Sequence, residues 1–201
     1  INSDNKILYL SATPRIYELE NEDIAEEDFA KFIYKMSFDE AIINKYISDY
    51  KIYLPIFCNE TNKEIILTET GYNINDDYLL KINFLFEAIK MMGMLKMIIY
   101  LRTHEEINEF IENFNNMNKY YCYDVNINYI ICNMSSNTRK EILSEFACSD
   151  KISLLLSVHI LDEAIDIPSC DSVYFTYISS NKIRNIQRMC RAMRYKSNKI
   201  A

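Results

Sequence analysis

Two arginines near the carboxyl terminus, Arg191 and Arg194, have a type and spacing that suit chemistry on an anion. A guanidinium offers a planar fork of N–H donors and does not deprotonate, so it matches the oxygens of a phosphate. Residues three apart on a helix share a face, so both arginines could meet one ligand. The alternative is a basic, solvated helix face, which is what charge runs usually are.

A second candidate lies where an apolar run ends and a helical segment begins. Arg102 and Thr103 occupy this junction, so a cation and backbone N–H groups converge where a phosphate could sit. For Arg102 the alternative is a surface salt bridge. In the later segment SSNTR, at 135–139, an equally good explanation is that Ser136 or Asn137 is simply a helix N-cap.

The elements that must position these residues follow from the apolar pattern. We expect helices over 37–47, 76–92, 103–117, 137–147 and 182–195, and strands over 7–10, 51–58, 96–101, 125–132, 152–158 and 173–177. Alternating strands and helices predict a parallel sheet covered on both faces. Such sheets bind ligands beyond the carboxyl ends of their strands, so the turns after the strands are the segments of interest.

Four segments, in order, resemble motifs of superfamily 2 helicases. They are SATP at 11–14 (motif III), MIIYLRTH at 97–104 (motif IV), LLLSVHILDEAIDIP at 154–168 (motif V, usually Glu-Gly-x-Asp-x-Pro) and QRMCRAMR at 187–194 (motif VI, usually Gln-x-x-Gly-Arg-x-x-Arg). The resemblance covers nearly the whole chain. It implies an α/β fold: a RecA-like parallel sheet with helices on both faces, preceded by the tail of the first motor domain. Residues 1–15 would end that first domain, 16–50 would form the linker, and 51–201 the second RecA-like domain.

The resemblance also implies roles around the nucleotide. Arg191 and Arg194 would reach across a cleft to ATP held by the first domain, with Gln187 near the phosphates. Asp166 would accept a hydrogen bond from a ribose hydroxyl or bond to motif VI, and Glu163 would lie in the turn that couples nucleotide to nucleic acid. Taken alone, an Asp-x-Pro segment is equally a simple turn.

Further implied roles concern coupling and nucleic acid. In motif III, Ser11 and Thr13 would couple the two activities. The nucleic-acid backbone would be contacted by five residues, which are Arg102, Thr103, Arg139 and, through their backbone, Ser157 and Val158.

Three positions depart from the family pattern. Ala164 in motif V and Cys190 and Met193 in motif VI stand where the family has glycine. Because glycine alone adopts positive φ easily, Ala164 would weaken coupling if that conformation is needed. The chain has only 2 glycines, which makes tolerated replacement the better explanation.

The function implied is the C-terminal half of an ATP-dependent helicase or translocase, inactive alone. The sequence has neither a P-loop nor a strand ending in an Asp-Glu pair, so ATP and Mg²⁺ would be held mainly by a missing N-terminal motor domain. The alternative is a degenerate helicase-like module that binds nucleic acid or a protein partner without ATP turnover. The linker resembles those of restriction-enzyme and viral helicases, which favours DNA over RNA.

Charge and cysteine content set the remaining expectations. The net charge is −7, yet residues 172–201 carry seven Lys or Arg and no acid, so a local basic surface is present. The 6 cysteines form no CxxC pair and predict buried free thiols rather than a metal site, in a reducing cytoplasm or nucleus. No segment is apolar for the length that a membrane helix needs, so no membrane partner is expected.

Overall fold

A computed structural model describes residues 34–55, 77–158, 167 and 169–195 of the protein. Two compact units are distinguished, Ile1–Ser37 and Phe38–Ala201, and every element named below belongs to the second. The boundaries predicted at residues 15 and 50 stay predictions. In this described part, no helix is both long and apolar enough to cross a membrane.

The elements alternate as expected. In chain order they are α1 (Phe38–Ile43), α2 (Asp77–Met92), β1 (Lys96–Tyr100), α3 (Glu105–Tyr121), β2 (Val125–Ile130), α4 (Ser136–Cys148), β3 (Ile152–Ser157), β4 (Ser172–Phe175) and α5 (Lys182–Met189). The four strands form one parallel sheet in the order β2-β3-β1-β4. In the centre of the sheet, Ile99 pairs with Leu156 of β3 and with Tyr174 of β4.

Both faces of the sheet are covered, which explains why β1 and β3 read as continuous apolar runs. On one face, side chains of β1 and β3 pack against α2 and α3, where the rings of Phe86 and Phe114 stack at 4.4 Å. On the other face, Tyr100 and Leu155 pack in a cluster with Phe146 of α4 and with Ala192 after α5. The predicted fold class, a RecA-like parallel sheet with helices on both faces, is confirmed.

Helix boundaries differ from prediction in ways that matter for the site. Helix α4 has Ser135 as its N-cap, whose hydroxyl accepts the N–H of Thr138 at 3.1 Å, so the choice between Ser136 and Asn137 was wrong. Before α3, the N-cap position belongs to His104, but Thr103 Oγ1 accepts the N–H of Glu106 at 3.4 Å. Thr103 therefore supplies the capping oxygen from one residue upstream.

Two predicted elements in the amino-terminal part are shorter or absent. Helix α1 ends at Ile43, because Lys45 turns the chain out of the helix with φ 59°. The strand predicted over 51–58 does not form in residues 51–55, which are exposed, and its remainder lies outside the described residues.

The cysteines are free where described, but their predicted burial is wrong for three of them. Cys122, Cys132 and Cys148 are exposed, whereas Cys170 is buried and Cys190 is half-buried. The exposed three lie in a turn or at a helix end, where a small side chain reaches no core.

Candidate site at the carboxyl edge of the sheet

The turns that follow the four parallel strands meet at one edge of the sheet. Along this edge the strand order places the turn of Arg139 first, then Ser157 and Val158, then Arg102, and finally Tyr177 after β4. We call it the carboxyl edge. Most of the described residues predicted to contact nucleic acid therefore lie on one side of the domain, as the parallel topology requires.

Arg102 is exposed, and its guanidinium lies over the ring of Tyr177, 5.3 Å from the ring centroid. Its backbone N–H is already occupied, since it donates to Glu106 Oε2 at 2.8 Å. The backbone N–H of Arg102, one of the donors expected to receive a phosphate at this helix start, thus has an internal carboxylate partner. The guanidinium remains as the group of Arg102 that can meet an anion.

The side chain of Arg139, in the first turn of α4, is directed back onto the turn that precedes this helix. It is half-buried, and its Nη2 donates to the carbonyl oxygen of Cys132 at 2.6 Å. That carbonyl lies in the turn after β2, so Arg139 stabilises the chain path between β2 and α4. A contact with phosphate would require its remaining N–H groups.

Ser157 and Val158 offer backbone rather than side chains. Both side chains are buried, at 0% and 2% exposure. The carbonyl of Ser157 accepts the N–H of Leu101 at 3.0 Å, which extends the pairing of β1 and β3 to the edge. The implied nucleic-acid contact, which would need only backbone groups here, stays a prediction.

The predicted geometry of motif VI is wrong in one respect, because Arg191 and Arg194 do not lie on a helix. Helix α5 carries the exposed Gln187 and ends at Met189. After α5 the chain continues in tighter turns. The N–H of Arg191 donates to the carbonyl of Arg188, and the N–H of Ala192 donates to the carbonyl of Met189, both at 3.1 Å. As a result Arg191 is 8% exposed, while Arg194 is exposed.

A distant segment explains why the helix stops. The N–H of Ser48 donates to the carbonyl of Met193 at 2.9 Å, and Ile47 forms an antiparallel bridge with Arg194. The backbone that follows these turns is therefore paired with the segment after α1. This long-range pairing overrides the local helix propensity of residues 190–195.

In motif VI, the two residues that stand where the family has glycine show no backbone strain. Cys190 has φ −60° and ψ −14°, an ordinary right-handed helical conformation, and Met193 packs into the domain at 3% exposure. Burial raises the pKa of the Cys190 thiol, and the positive charges of Arg194 and Arg191 oppose that rise. Neither residue uses a backbone conformation that needs glycine. Ala164 lies outside the described residues.

Sequence reasoning left the burial of Arg188 open and missed its aromatic partners. Arg188 is fully buried and lies over Tyr100 at 4.6 Å, with Tyr177 at 5.6 Å. Its two terminal nitrogens donate to the hydroxyl of Tyr177 at 3.3 and 3.4 Å. The available signal was the position of Tyr177 at the end of the strand predicted over 173–177, at the ligand-binding edge.

Four predicted site residues lie outside the described residues, together with the strand over 7–10. They are Ser11, Thr13, Glu163 and Asp166. Their roles stay predictions.

Comparisons with known proteins bear on the fold and on the family. No match is found among the curated proteins. A solved structure of the "ATP-dependent Type ISP restriction-modification enzyme LlaBIII bound to DNA" is similar, with TM-score 0.66, 21% identity, and coverage of 83% of this chain and 12% of that chain. The DUF1998 helicase MrfA, solved with DNA and AMPPNP, has TM-score 0.51, 16% identity, and coverage of 75% and 19%.

These identities show a shared fold, and the chain spans a small part of both larger proteins. The family follows from a separate match. The family model described as the helicase conserved C-terminal domain matches residues 80–196, which is more than half of the chain. The protein belongs to the helicase C-terminal domain family.

Proposed function

We propose that this chain is the C-terminal half of an ATP-dependent helicase or translocase acting on nucleic acid. The proposal is carried by two exposed arginines on a domain of the helicase C-terminal family: Arg102 lies at the carboxyl edge, and Arg194 lies in the turn after α5. Both groups are permanent cations suited to phosphate oxygens.

Arg194 is the residue we assign to the nucleotide. It is exposed, and its backbone is fixed by the bridge to Ile47, so its side chain can project from a defined base. In the cleft with the first motor domain, its guanidinium would neutralise charge on the phosphates, while Gln187 would contact them from α5. We assign the P-loop contacts and Mg²⁺ to that first domain.

Arg191 is assigned a supporting role in the same half-site. At 8% exposure it presents little surface to a ligand unless the turn opens when the two domains close. Asp166 and Glu163 keep their proposed roles at the ribose and in coupling, and Ser11 and Thr13 theirs in motif III.

Nucleic acid would lie along the carboxyl edge, contacting Arg102, Thr103, the backbone of Ser157 and Val158, and Arg139. The charge distribution supports this, because residues 172–201 are basic in a chain whose net charge is −7. We propose DNA as the substrate, and competition between DNA and RNA oligonucleotides for the chain tests that choice.

The test is Arg194→Ala in the full-length gene product. We expect nucleic-acid-stimulated ATP hydrolysis to fall by about a thousandfold or more, the range for removal of an arginine finger, with nucleic-acid binding retained. Lys182→Ala, an exposed cation at the start of α5, is the matched control and should hydrolyse ATP normally. Wild-type turnover by the Arg194 variant would contradict the assignment.

The burial of Arg191 favours one alternative, a degenerate module that binds nucleic acid or a protein without ATP turnover. The same experiment separates the two functions. If the full-length wild type shows no nucleic-acid-stimulated hydrolysis while the chain still binds oligonucleotides, the alternative is correct.

A further inference from the structure

Tyr177 joins an exposed arginine to a buried one. It is half-buried in the turn after β4, and its ring centroid lies 5.3 Å from Arg102 Cζ and 5.6 Å from Arg188 Cζ. Two guanidinium groups therefore share one aromatic ring. Each contact is within the distance at which a cation is attracted by the ring quadrupole.

The buried side of this arrangement is held by several contacts. Arg188 is fully buried, lies 4.6 Å over Tyr100 of β1, and donates from both terminal nitrogens to the Tyr177 hydroxyl. Tyr100 in turn stacks on Phe175 of β4 at 5.4 Å. Tyr177 is thereby joined to the sheet through Arg188, by its ring as well as by its hydroxyl.

The exposed side is a long side chain that would otherwise sample many rotamers. Among the described residues, Arg102 takes part in no ion pair, and its guanidinium has the Tyr177 ring as its partner. A guanidinium lying on a ring keeps its N–H donors, which point outward in its plane, available for a bidentate contact with phosphate.

We propose that Tyr177 is a positioning residue for nucleic-acid binding: anchored by buried Arg188, its ring holds the guanidinium of Arg102 in place for a phosphate. The inference rests on the proposed function, since it takes Arg102 as a nucleic-acid contact. It adds a specific contact, which connects Arg102 to α5, the helix in which motif VI begins. Ordering Arg102 before binding reduces the entropy lost when the complex forms.

Two substitutions test the ring and the hydroxyl of Tyr177 separately. Tyr177→Phe keeps the ring and removes the hydroxyl that Arg188 contacts. Tyr177→Leu removes the ring as well, so Arg102 loses its platform. Binding should therefore depend on the ring far more than on the hydroxyl.

The experiment measures binding of the chain to a fluorescein-labelled single-stranded oligo(dT) probe by anisotropy at several salt concentrations. We expect Tyr177→Leu to raise Kd about 2- to 5-fold, as loss of an exposed cation–π contact would, and Tyr177→Phe to stay within about 2-fold of wild type. Arg102→Ala should raise Kd further and lower the slope of log Kd against log salt by about 0.7. The double variant Arg102→Ala with Tyr177→Leu should bind like Arg102→Ala alone, because the ring has no cation left to hold.

A matched control is Tyr120→Leu, which truncates an exposed tyrosine at the carboxyl end of α3, away from the carboxyl edge. It should bind the probe like wild type. Circular dichroism of each variant confirms folding. If Tyr177→Leu fails to fold, Arg102→Lys probes the same contact from the other side, since it keeps the charge and loses the planar group.

Different outcomes would contradict the proposed nucleic-acid site and the proposed positioning role of Tyr177. If Arg102→Ala binds like wild type, the proposed nucleic-acid site at the carboxyl edge is wrong. If Arg102→Ala weakens binding but Tyr177→Leu leaves Kd unchanged, or weakens it equally with and without Arg102, the positioning role is overturned. Where Arg102→Lys is the variant used, binding equal to wild type overturns that role.

Discussion

Ser48 and Arg194 are 146 positions apart in sequence, yet the hydroxyl of Ser48 donates to the carbonyl of Arg194 at 3.2 Å. The N–H of the same serine donates to the carbonyl of Met193, so two bonds from one residue hold the turn that carries Arg194. Ser48 is 3% exposed, so neither bond competes freely with water. The segment after α1 thus sets the backbone from which this arginine projects.

Removal of that hydroxyl should therefore be measurable as lost stability. We expect Ser48→Ala to lower the free energy of unfolding of the chain by about 1 kcal/mol, the net value of one hydrogen bond. Urea denaturation followed by circular dichroism measures it. Ser180→Ala removes an exposed hydroxyl from the turn before α5 and should stay within about 0.5 kcal/mol of wild type. Equal unfolding curves for all three proteins would show that the bond contributes nothing.

Substitutions of Arg191 and of Arg194 should differ in their effects on stability and on activity. Arg191 is buried, so Arg191→Ala removes packing and polar contacts and should cost about 1–3 kcal/mol of stability. Arg194 is exposed, so Arg194→Ala should leave stability within about 0.5 kcal/mol while it abolishes hydrolysis in the full-length protein. Thermal and urea unfolding of both variants measure the difference. Equal destabilisation by the two substitutions would refute this division.

The comparison of these arginines shows where sequence reasoning reached its limit. Periodicity located β1, β3 and α2 because a strand or helix buried in the core must carry apolar residues at fixed intervals. It extended α5 to Tyr195, since nothing local to residues 190–195 signals the pairing with Ile47. Long-range backbone pairing overrides local propensity and cannot be read from a window of residues.

The same limit applied to the candidate site. Parallel topology alone places the turns after β1 and β2, and with them Arg102 and Arg139, at one edge, as predicted. Which way each side chain points was not predictable, because it depends on partners such as Tyr177 and the carbonyl of Cys132. Spacing identifies candidates, whereas contacts decide which of them remain available to a ligand.

A buried lysine at the opposite edge of the sheet gives another test. Lys96 Nζ donates to the carbonyls of Ser149 and Lys151 and to Ser153 Oγ, joining the end of α4 to the start of β3. Burial lowers the pKa of Lys96, while Asp150, Asp171 and Cys148 raise it.

Lys96→Met would remove the donor of the Ser149 carbonyl, while Ser153 Oγ would still donate to the carbonyl of Lys151. We expect it to lower the free energy of unfolding by about 1–3 kcal/mol. The control, Lys151→Met, breaks the exposed ion pair with Asp124 and should cost about 1 kcal/mol or less. Chemical denaturation at neutral pH compares the two, and a Lys96 variant as stable as wild type would contradict the structural role.

Alkaline stability should depend on Tyr174, whose hydroxyl donates to the carbonyl of Lys81 at 2.8 Å. Burial raises the pKa of Tyr174, so the folded protein keeps this phenol neutral at a pH where the unfolded chain ionises it. The stabilising contribution is therefore complete below about pH 10, the ordinary tyrosine pKa, and is lost as pH rises above it. Tyr174→Phe has no phenol to ionise, so its stability should fall less steeply above about pH 10.

Tyr121 provides a second test with the same sign. Burial raises its pKa most, and a hydrogen bond with Glu87 raises it further. We expect Tyr121→Phe to reduce the alkaline loss of stability as well, measured as the free energy of unfolding between about pH 8 and 11. Parallel curves for wild type and both variants would exclude this origin of alkaline unfolding.

The purified chain alone should not hydrolyse ATP. In the proposed mechanism Arg194 and Gln187 act on a nucleotide that another domain holds, because this sequence has no P-loop. Phosphate release with saturating oligo(dT) should stay at the buffer rate for this chain, and rise when the full-length gene product replaces it. Adding the separately purified first domain in trans should restore part of the rate, since the arginines need only reach the bound phosphates. Hydrolysis by this chain alone that Arg194→Ala abolishes would mean that it contains a complete site.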